Sequence, residues 1–251
     1  MLRRDDLMNG VWIWQDTELF CFGIDAVLLA HYPELREQEK MLDLGTGTGP
    51  IPLILAPFAR QRGAHITGLE IQERAAALAK RSVLENGLAD TIDIVTGDIR
   101  RAGDIFAPAS FSLITCNPPY MPAGSGIISE NEARAIARTE IRCTLEDVVF
   151  AAARLLKMRG RLALILRPSR LAELFVLLSR YGLEPKRMRL VHPRAGGEPT
   201  MVLAEAVRGG KPFLKVEPPL IVYEETDRYT KEIMEIYGWD AVSGCDPHRQ
   251  S

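Results

Sequence analysis

The chain has 251 residues, 31 of them basic and 33 acidic, for a formal net charge of −2. With 47% apolar residues it suits one sizeable α/β core with appendages, and its charge balance excludes broad, indiscriminate phosphate neutralisation as its mode of action. No run resembles a membrane span, no apolar stretch follows the basic start Met1-Leu2-Arg3-Arg4, and four scattered cysteines and four scattered histidines build neither a disulfide framework nor a zinc site, so a cytoplasmic protein without a metal is expected.

Residues 11–22 alternate aromatic and polar positions around Asp16-Thr17, which predicts a hairpin, and a helix should follow from Asp25 as N-cap through Tyr32. Next comes Met41-Leu42-Asp43-Leu44-Gly45-Thr46-Gly47-Thr48-Gly49-Pro50-Ile51-Pro52-Leu53, an apolar run that breaks into three glycines and then a helical pattern. Strand, tight loop and helix in that order form the nucleotide-approaching corner of an α/β sheet. The spacing is Gly-x-Gly-x-Gly, and Asp43 stands just before it, where a pyrophosphate loop gains nothing from a fixed negative charge and a cationic ligand gains much. Pro50 and Pro52 fit the first turn of a helix over residues 50–60, where a missing N–H costs least.

The next strand, His65-Ile66-Thr67-Gly68-Leu69-Glu70, ends in an acid about 20 residues after the glycines, the place where dinucleotide folds bind ribose hydroxyls. A helix over residues 72–86 stops at Gly87, and a third strand, running from Ile92, closes on Asp98, which could accept from an exocyclic amine. Each acid alone reads as a solvated strand end, but together they should face one crevice.

The run Phe111–Cys116 ends in Asn117-Pro118-Pro119-Tyr120. Residues before proline leave the α region and Pro-Pro is extended, so the Asn117 side-chain oxygen and the Pro118 carbonyl become stiff outward acceptors, able to hold the two N–H bonds of one planar amine. Tyr120 offers a ring for stacking, worth about 1–3 kcal/mol for a base. The plainer alternative is a turn that stops a strand. Residues 121–142, with Gly124 and Gly126 followed by charges, suggest a mobile substrate loop leading into a helix, or merely a solvated helix. A helix over residues 145–158 ended by Gly160 precedes the strand over 162–166, and strands near 187–191 and 201–207 are too closely linked to be parallel. The tail beyond Gly209 is proline-rich, then helical over residues 228–237.

These motifs resemble Class I S-adenosylmethionine-dependent methyltransferases of the amino-methylating group with Asn-Pro-Pro-Tyr. At both ends, from Val11 to Ala30 and from His192-Pro193-Arg194 through Gly209-Gly210-Lys211-Pro212 to Pro218-Pro219-Leu220-Ile221-Val222-Tyr223, the chain is similar to bacterial tRNA adenine-N6 methyltransferases that act on an anticodon-loop adenine of a valine tRNA. The resemblance implies a Rossmann-like α/β fold with a sheet of about seven strands, the last antiparallel. It divides the chain into an N-terminal hairpin and helix over 1–40, which either packs or serves as a cofactor lid, a methyltransferase core over 41–208 and a C-terminal extension over 209–251. It assigns S-adenosylmethionine to Asp43, Gly45, Thr46, Gly47, Gly49, Glu70, Ile71, Asp98, Ile99 and Asn117, and catalysis to Asn117, Pro118, Pro119 and Tyr120.

Residues 180–215 hold eight basic and three acidic residues, an excess that either solvates outward faces or holds RNA, with Arg187, Arg189, Arg194 and Lys211 as candidates for phosphate contacts. The expected partner is therefore tRNA or another structured RNA with an accessible adenine. Three rivals stand beside this reading. A protein glutamine-N5 methyltransferase uses the same tetrapeptide but carries a helical domain ahead of the glycine loop. A non-catalytic RNA-binding module would not need Gly45, Gly47, Glu70, Asp98 and Asn117 together. An NAD-dependent dehydrogenase is disfavoured by the glycine spacing.

Overall fold

The computed structural model describes residues 1–8, 10–19, 21–118 and 143–238. Pro119, Tyr120, Phe20 and the substrate loop expected over 121–142 lie outside the described residues. The chain opens with an antiparallel hairpin, β1 (Leu2–Met8) and β2 (Val11–Asp16), and a helix, α1 (Ile24–His31). Then β3 (Lys40–Leu44), α2 (Pro50–Gln61), β4 (His65–Glu70), α3 (Glu73–Glu85) and β5 (Ile92–Thr96) alternate as the sequence predicts. A short helix, α4 (Ala102–Ile105), leads into β6 (Phe111–Cys116). The second half contains α5 (Leu145–Leu155), β7 (Leu156–Leu166), α6 (Leu171–Arg180), β8 (Leu183–His192), β9 (Met201–Arg208), β10 (Lys215–Val216), β11 (Leu220–Ile221) and α7 (Lys231–Ile236).

The main sheet runs β5-β4-β3-β6-β7-β9-β8-β10, with β11 also on β8. β3 to β7 pair in parallel, and β9 is antiparallel to both its neighbours. Strand order reverses beside β3, since β4 lies on one side and β6 on the other, and the crevice at such a reversal is where open α/β sheets bind ligands. Residues alternate between two apolar layers: Met41 joins α1, α2 and the hairpin on one face, and Leu42 and Leu44 join α5 and α6 on the other. Among the described residues no helix is long and apolar enough to cross a membrane.

Four local expectations are corrected. The hairpin turns between Met8 and Val11 rather than at Asp16-Thr17, because the strand partner of residues 11–16 precedes them. It lies along α3, where the Trp12 and Trp14 amides donate to Asn86 Oδ1 (3.1 Å) and Ser82 Oγ (2.9 Å). A two-residue strand step and a four-residue helix step are nearly equal in length, so alternate strand amides meet successive helix turns. Gly23, not Asp25, is the N-cap of α1. The helix over 145–158 stops at Leu155, because Leu156 already pairs with Phe111 in the sheet. The tail helix begins at Lys231, capped by the Thr230 hydroxyl, which accepts from the Ile233 amide. The seven strands expected are β3 to β9; β10 and β11 of the tail add two short ones on β8.

Candidate active site

The glycine loop leaves β3 at the reversal point and is tied to β4 by its own amides. Gly45 and Thr46 donate to the Leu69 carbonyl at 2.9 and 3.0 Å, and Gly47 donates to Glu70 Oε2 at 2.8 Å. Glu70 Oε1 accepts from the Gln72 amide at 2.8 Å, so the buried carboxylate is held rigidly at the strand end with lone pairs to spare. Burial raises its pKa, and the Gln72, Gly47 and Ile71 amides oppose the rise. Gly49 is the N-cap of α2 at φ 88°, and a Cβ there would sit 3.3 Å from Ala79 Cβ on α3, so the position requires glycine both for its left-handed backbone and for the close helix approach.

Asp43, on the last turn of β3 before the glycines, is 1% exposed. Its Oδ1 accepts from the Thr115 hydroxyl at 2.6 Å, while Oδ2 and the nearby Thr46 hydroxyl are buried without a hydrogen-bond partner. Burial pushes its pKa up to about 7, helped by the Glu70 charge and opposed by the Thr115 hydrogen bond. Native proteins rarely leave a buried carboxylate oxygen unpaired, so this geometry fits a cationic ligand.

Cys116 pairs with Leu44, so the chain leaves β6 at Asn117 directly beside Gly45. Asn117 Nδ2 donates to Asp25 Oδ2 at 2.8 Å, and Asn117 Oδ1 is buried with no hydrogen-bond partner among the described residues. The oxygen that the sequence points outward as an acceptor is thus buried, with its hydrogen-bonding capacity unused by the described residues. Pro118 is buried, and Pro119 and Tyr120 lie outside the described residues. Asp98 sits after β5, where its carboxylate accepts from the Arg100 amide and guanidinium at 2.9 Å, which lowers its pKa. Ile99 reaches over the loop, 3.7 Å from where a Gly45 Cβ would be. Ile71 follows Glu70 and is half-buried.

The four RNA candidates do not share one surface. Arg187 pairs with Glu205 and Glu217 and donates to the Tyr32 carbonyl. Arg189 is clamped on both carboxylate oxygens of Glu232 at 2.6 and 2.8 Å, and Arg194 pairs with Asp227. The acids Glu217, Asp227 and Glu232 come from the tail, outside the window in which the basic excess was counted. Because β8 runs parallel to β3, Arg194 follows its end at the glycine-loop edge. Lys211 lies at the opposite edge with Arg36, Arg159, Arg161 and Lys186, around an open cavity of about 490 Å³. Sequence reasoning missed Asp25 as a neighbour of Asn117, and its only local signal, an acid at the start of a helix, is shared with ordinary capping residues.

A glycine loop tied to a buried strand-end acid thus lies beside a carboxylate oxygen and an asparagine oxygen that have no partner among the described residues. The family model of the methyltransferase small domain matches residues 12–175. The chain belongs to the methyltransferase small-domain family. Among curated relatives, this methyltransferase is 32% identical over 225 residues to the tRNA1(Val) (adenine(37)-N6)-methyltransferase of Porphyromonas gingivalis, covering 85% of this chain and 86% of that one. It is 29% identical over 226 residues to the protein of the same name from Bacteroides thetaiotaomicron, covering 89% and 91%. Among solved structures, a predicted O-methyltransferase from Agrobacterium tumefaciens superposes with a TM-score of 0.69 at 24% identity, over 85% of this chain and 95% of that one, a likeness of fold alone. The methyltransferase small domain therefore occupies most of the core, with the glycine loop, Glu70 and Asn117 inside the matched span.

Proposed function

We propose that this methyltransferase transfers a methyl group from S-adenosylmethionine to the exocyclic N6 of an adenine in a tRNA anticodon loop. The observation that carries the reading is the similarity over most of both chains to tRNA1(Val) adenine(37)-N6 methyltransferases, and the unpartnered Asn117 Oδ1 supports the chemistry. When bound, S-adenosylmethionine supplies a sulfonium methyl group, an electrophile that needs no further activation. Asp43 would hold its cationic end, Glu70 the ribose hydroxyls, and Ile71, Asp98 and Ile99 the adenine ring, with Gly45, Thr46, Gly47 and Gly49 forming the floor.

An adenine amine is planar because its lone pair is delocalised into the ring. Asn117 Oδ1 and the Pro118 carbonyl accept its two N–H bonds, which favours tetrahedral geometry and localises the lone pair as the new bond forms. Pro119 stiffens the turn and Tyr120 stacks the base. The proton leaves to solvent once the nitrogen is cationic, so no general base is required. A loop adenine must be splayed out at a cost of a few kcal/mol, which single-stranded loops minimise. Arg194 and Lys211, with Arg187 and Arg189, are the candidates for phosphate contact, and such a substrate puts the enzyme's work in the cytoplasm.

The test is methyl transfer from labelled S-adenosylmethionine to total tRNA, followed by mass spectrometry of the nucleosides. N6-methyladenosine in a single tRNA species is expected. Label appearing in protein glutamine and not in RNA would overturn the substrate.

A further inference from the structure

We infer that Asp25 is a positioning residue for the methyl transfer, fixing which atom of the Asn117 amide faces the target amine; the inference rests on the reading of Asn117 given above. An asparagine amide presents an oxygen on one side and an NH2 on the other, and a rotation of half a turn about its last bond exchanges them. Only one orientation serves an amine, because the NH2 group has hydrogens to donate and none to accept. The tetrapeptide backbone cannot make that choice, since its stiffness sets where the amide lies and not which way it faces.

Asp25 makes it. The residue is 6% exposed in the first turn of α1. Its Oδ1 accepts from the Ala26 amide at 2.9 Å, which anchors the carboxylate, and its Oδ2 accepts from Asn117 Nδ2 at 2.8 Å. A carboxylate is acceptor-only, so the reversed amide would press its oxygen against a second oxygen, and the NH2 side is held inward. Asn117 Oδ1 is left buried and without a partner on the other side. The buried negative charge behind the amide also polarises it, making Oδ1 a stronger acceptor as the amine nitrogen turns cationic. Carboxylate and asparagine lie 92 positions apart in the chain. The fold brings them together because α1 begins, and β6 ends, at the same edge of the sheet.

The experiment has two arms, on Asp25→Ala and the near-isosteric Asp25→Asn, each alone and combined with Asn117→Ala. In the first arm the Asn117 side-chain amide is followed by nitrogen-15 NMR in the full-length protein with S-adenosylmethionine, its signals assigned by their loss in Asn117→Ala. Wild type should show one strongly shifted, slowly exchanging amide proton, and both Asp25 variants should move it toward the values of a solvated amide. An unchanged amide in Asp25→Asn, which preserves shape if the alanine variant fails to fold, would overturn the assignment whatever the substrate is. In the second arm, single-turnover methylation of tRNA should slow about tenfold in Asp25→Asn and more in Asp25→Ala, short of the 10²–10³ of a direct contact. The affinity for S-adenosylmethionine should stay within about twofold, and most of the loss should disappear in the Asn117→Ala background, because the positioning role of Asp25 runs through that amide. An equal loss in both backgrounds marks a structural contribution and overturns the proposal. Should wild type leave tRNA unmethylated, the substrate reading fails, and the amide arm alone still decides between the two outcomes for Asp25.

Discussion

The cofactor corner and the β8 edge are both rich in buried or half-buried polar groups, and they treat those groups in opposite ways. At the corner, Asp43 Oδ2, the Thr46 hydroxyl and Asn117 Oδ1 are buried without partners. At the β8 edge, Arg161 meets both Glu39 oxygens at 2.8 and 2.9 Å and Glu205 at 3.6 Å, and Arg187, Arg189 and Arg194 each have carboxylate partners. The β8 side has an orphan of its own, Arg161 Nε, so the difference lies in charge pairing: Arg161, Arg187, Arg189 and Arg194 each face a carboxylate, whereas no cation among the described residues pairs with Asp43.

The largest effect should come from breaking the β8 edge. Arg161→Ala leaves Glu39 buried and uncompensated, so the fold should lose about 3–5 kcal/mol in denaturant unfolding. A loss below about 1 kcal/mol would mean that the pair is hydrated in solution.

Breaking the cofactor corner should instead cost rate. Asn117→Ala removes an acceptor needed chiefly in the transition state, and kcat should fall by about 10²–10³ while affinity for S-adenosylmethionine barely changes. Full turnover by this variant would end the assignment of the tetrapeptide.

A smaller effect concerns Asp43, whose pKa burial pushes from an ordinary 3.8 up to about 7. Its proton stabilises the ligand-free protein fully at low pH, and that stability is lost as pH rises through about 7. A cationic ligand selects the carboxylate, so affinity for S-adenosylmethionine should improve about fivefold between pH 6 and 7, by about a further twofold to pH 8, and level off above, as read by calorimetry. Asp43→Asn should flatten the profile; a flat profile in wild type would place the cation elsewhere.

The smallest effect separates the arginines. If Arg194 or Lys211 contacts a phosphate, its replacement by Ala should reduce the slope of log affinity for tRNA against log salt by about 0.7–0.9. Arg189→Ala should change the slope less, because Glu232 holds that guanidinium through two nitrogens whereas Asp227 meets Arg194 through one. Slopes equal to wild type in all three variants would move the RNA site away from both edges.

What the sequence made legible was local. The β3 loop, Glu70 and Asp98 at successive strand ends, and the antiparallel β8 and β9 all follow from periodicity, glycine spacing and loop length within short windows. What it hid was long-range. Leu156, Lys157 and Met158 are good helix formers, yet they belong to β7, whose first residue, Leu156, pairs with Phe111. The Arg189–Glu232 and Arg194–Asp227 pairs join residues 43 and 33 positions apart, so a tally over residues 180–215 counted cations whose partners lay outside it. Asp25 carries a local pattern that fits a cap, and its partner is named only by the fold.

The tail's two short strands have a further consequence. β8 would otherwise be the outer strand of the sheet, with a row of backbone groups offered to any extended chain nearby. Lys215 and Val216 pair with Arg187 and Met188, Leu220 and Ile221 pair with Val191 and His192, and Pro218-Pro219 fills the gap with residues that lack an amide hydrogen. A strand interrupted in this way gives its outer neighbour little to grip, so the sheet ends where the tail crosses it and does not template growth onto a second molecule.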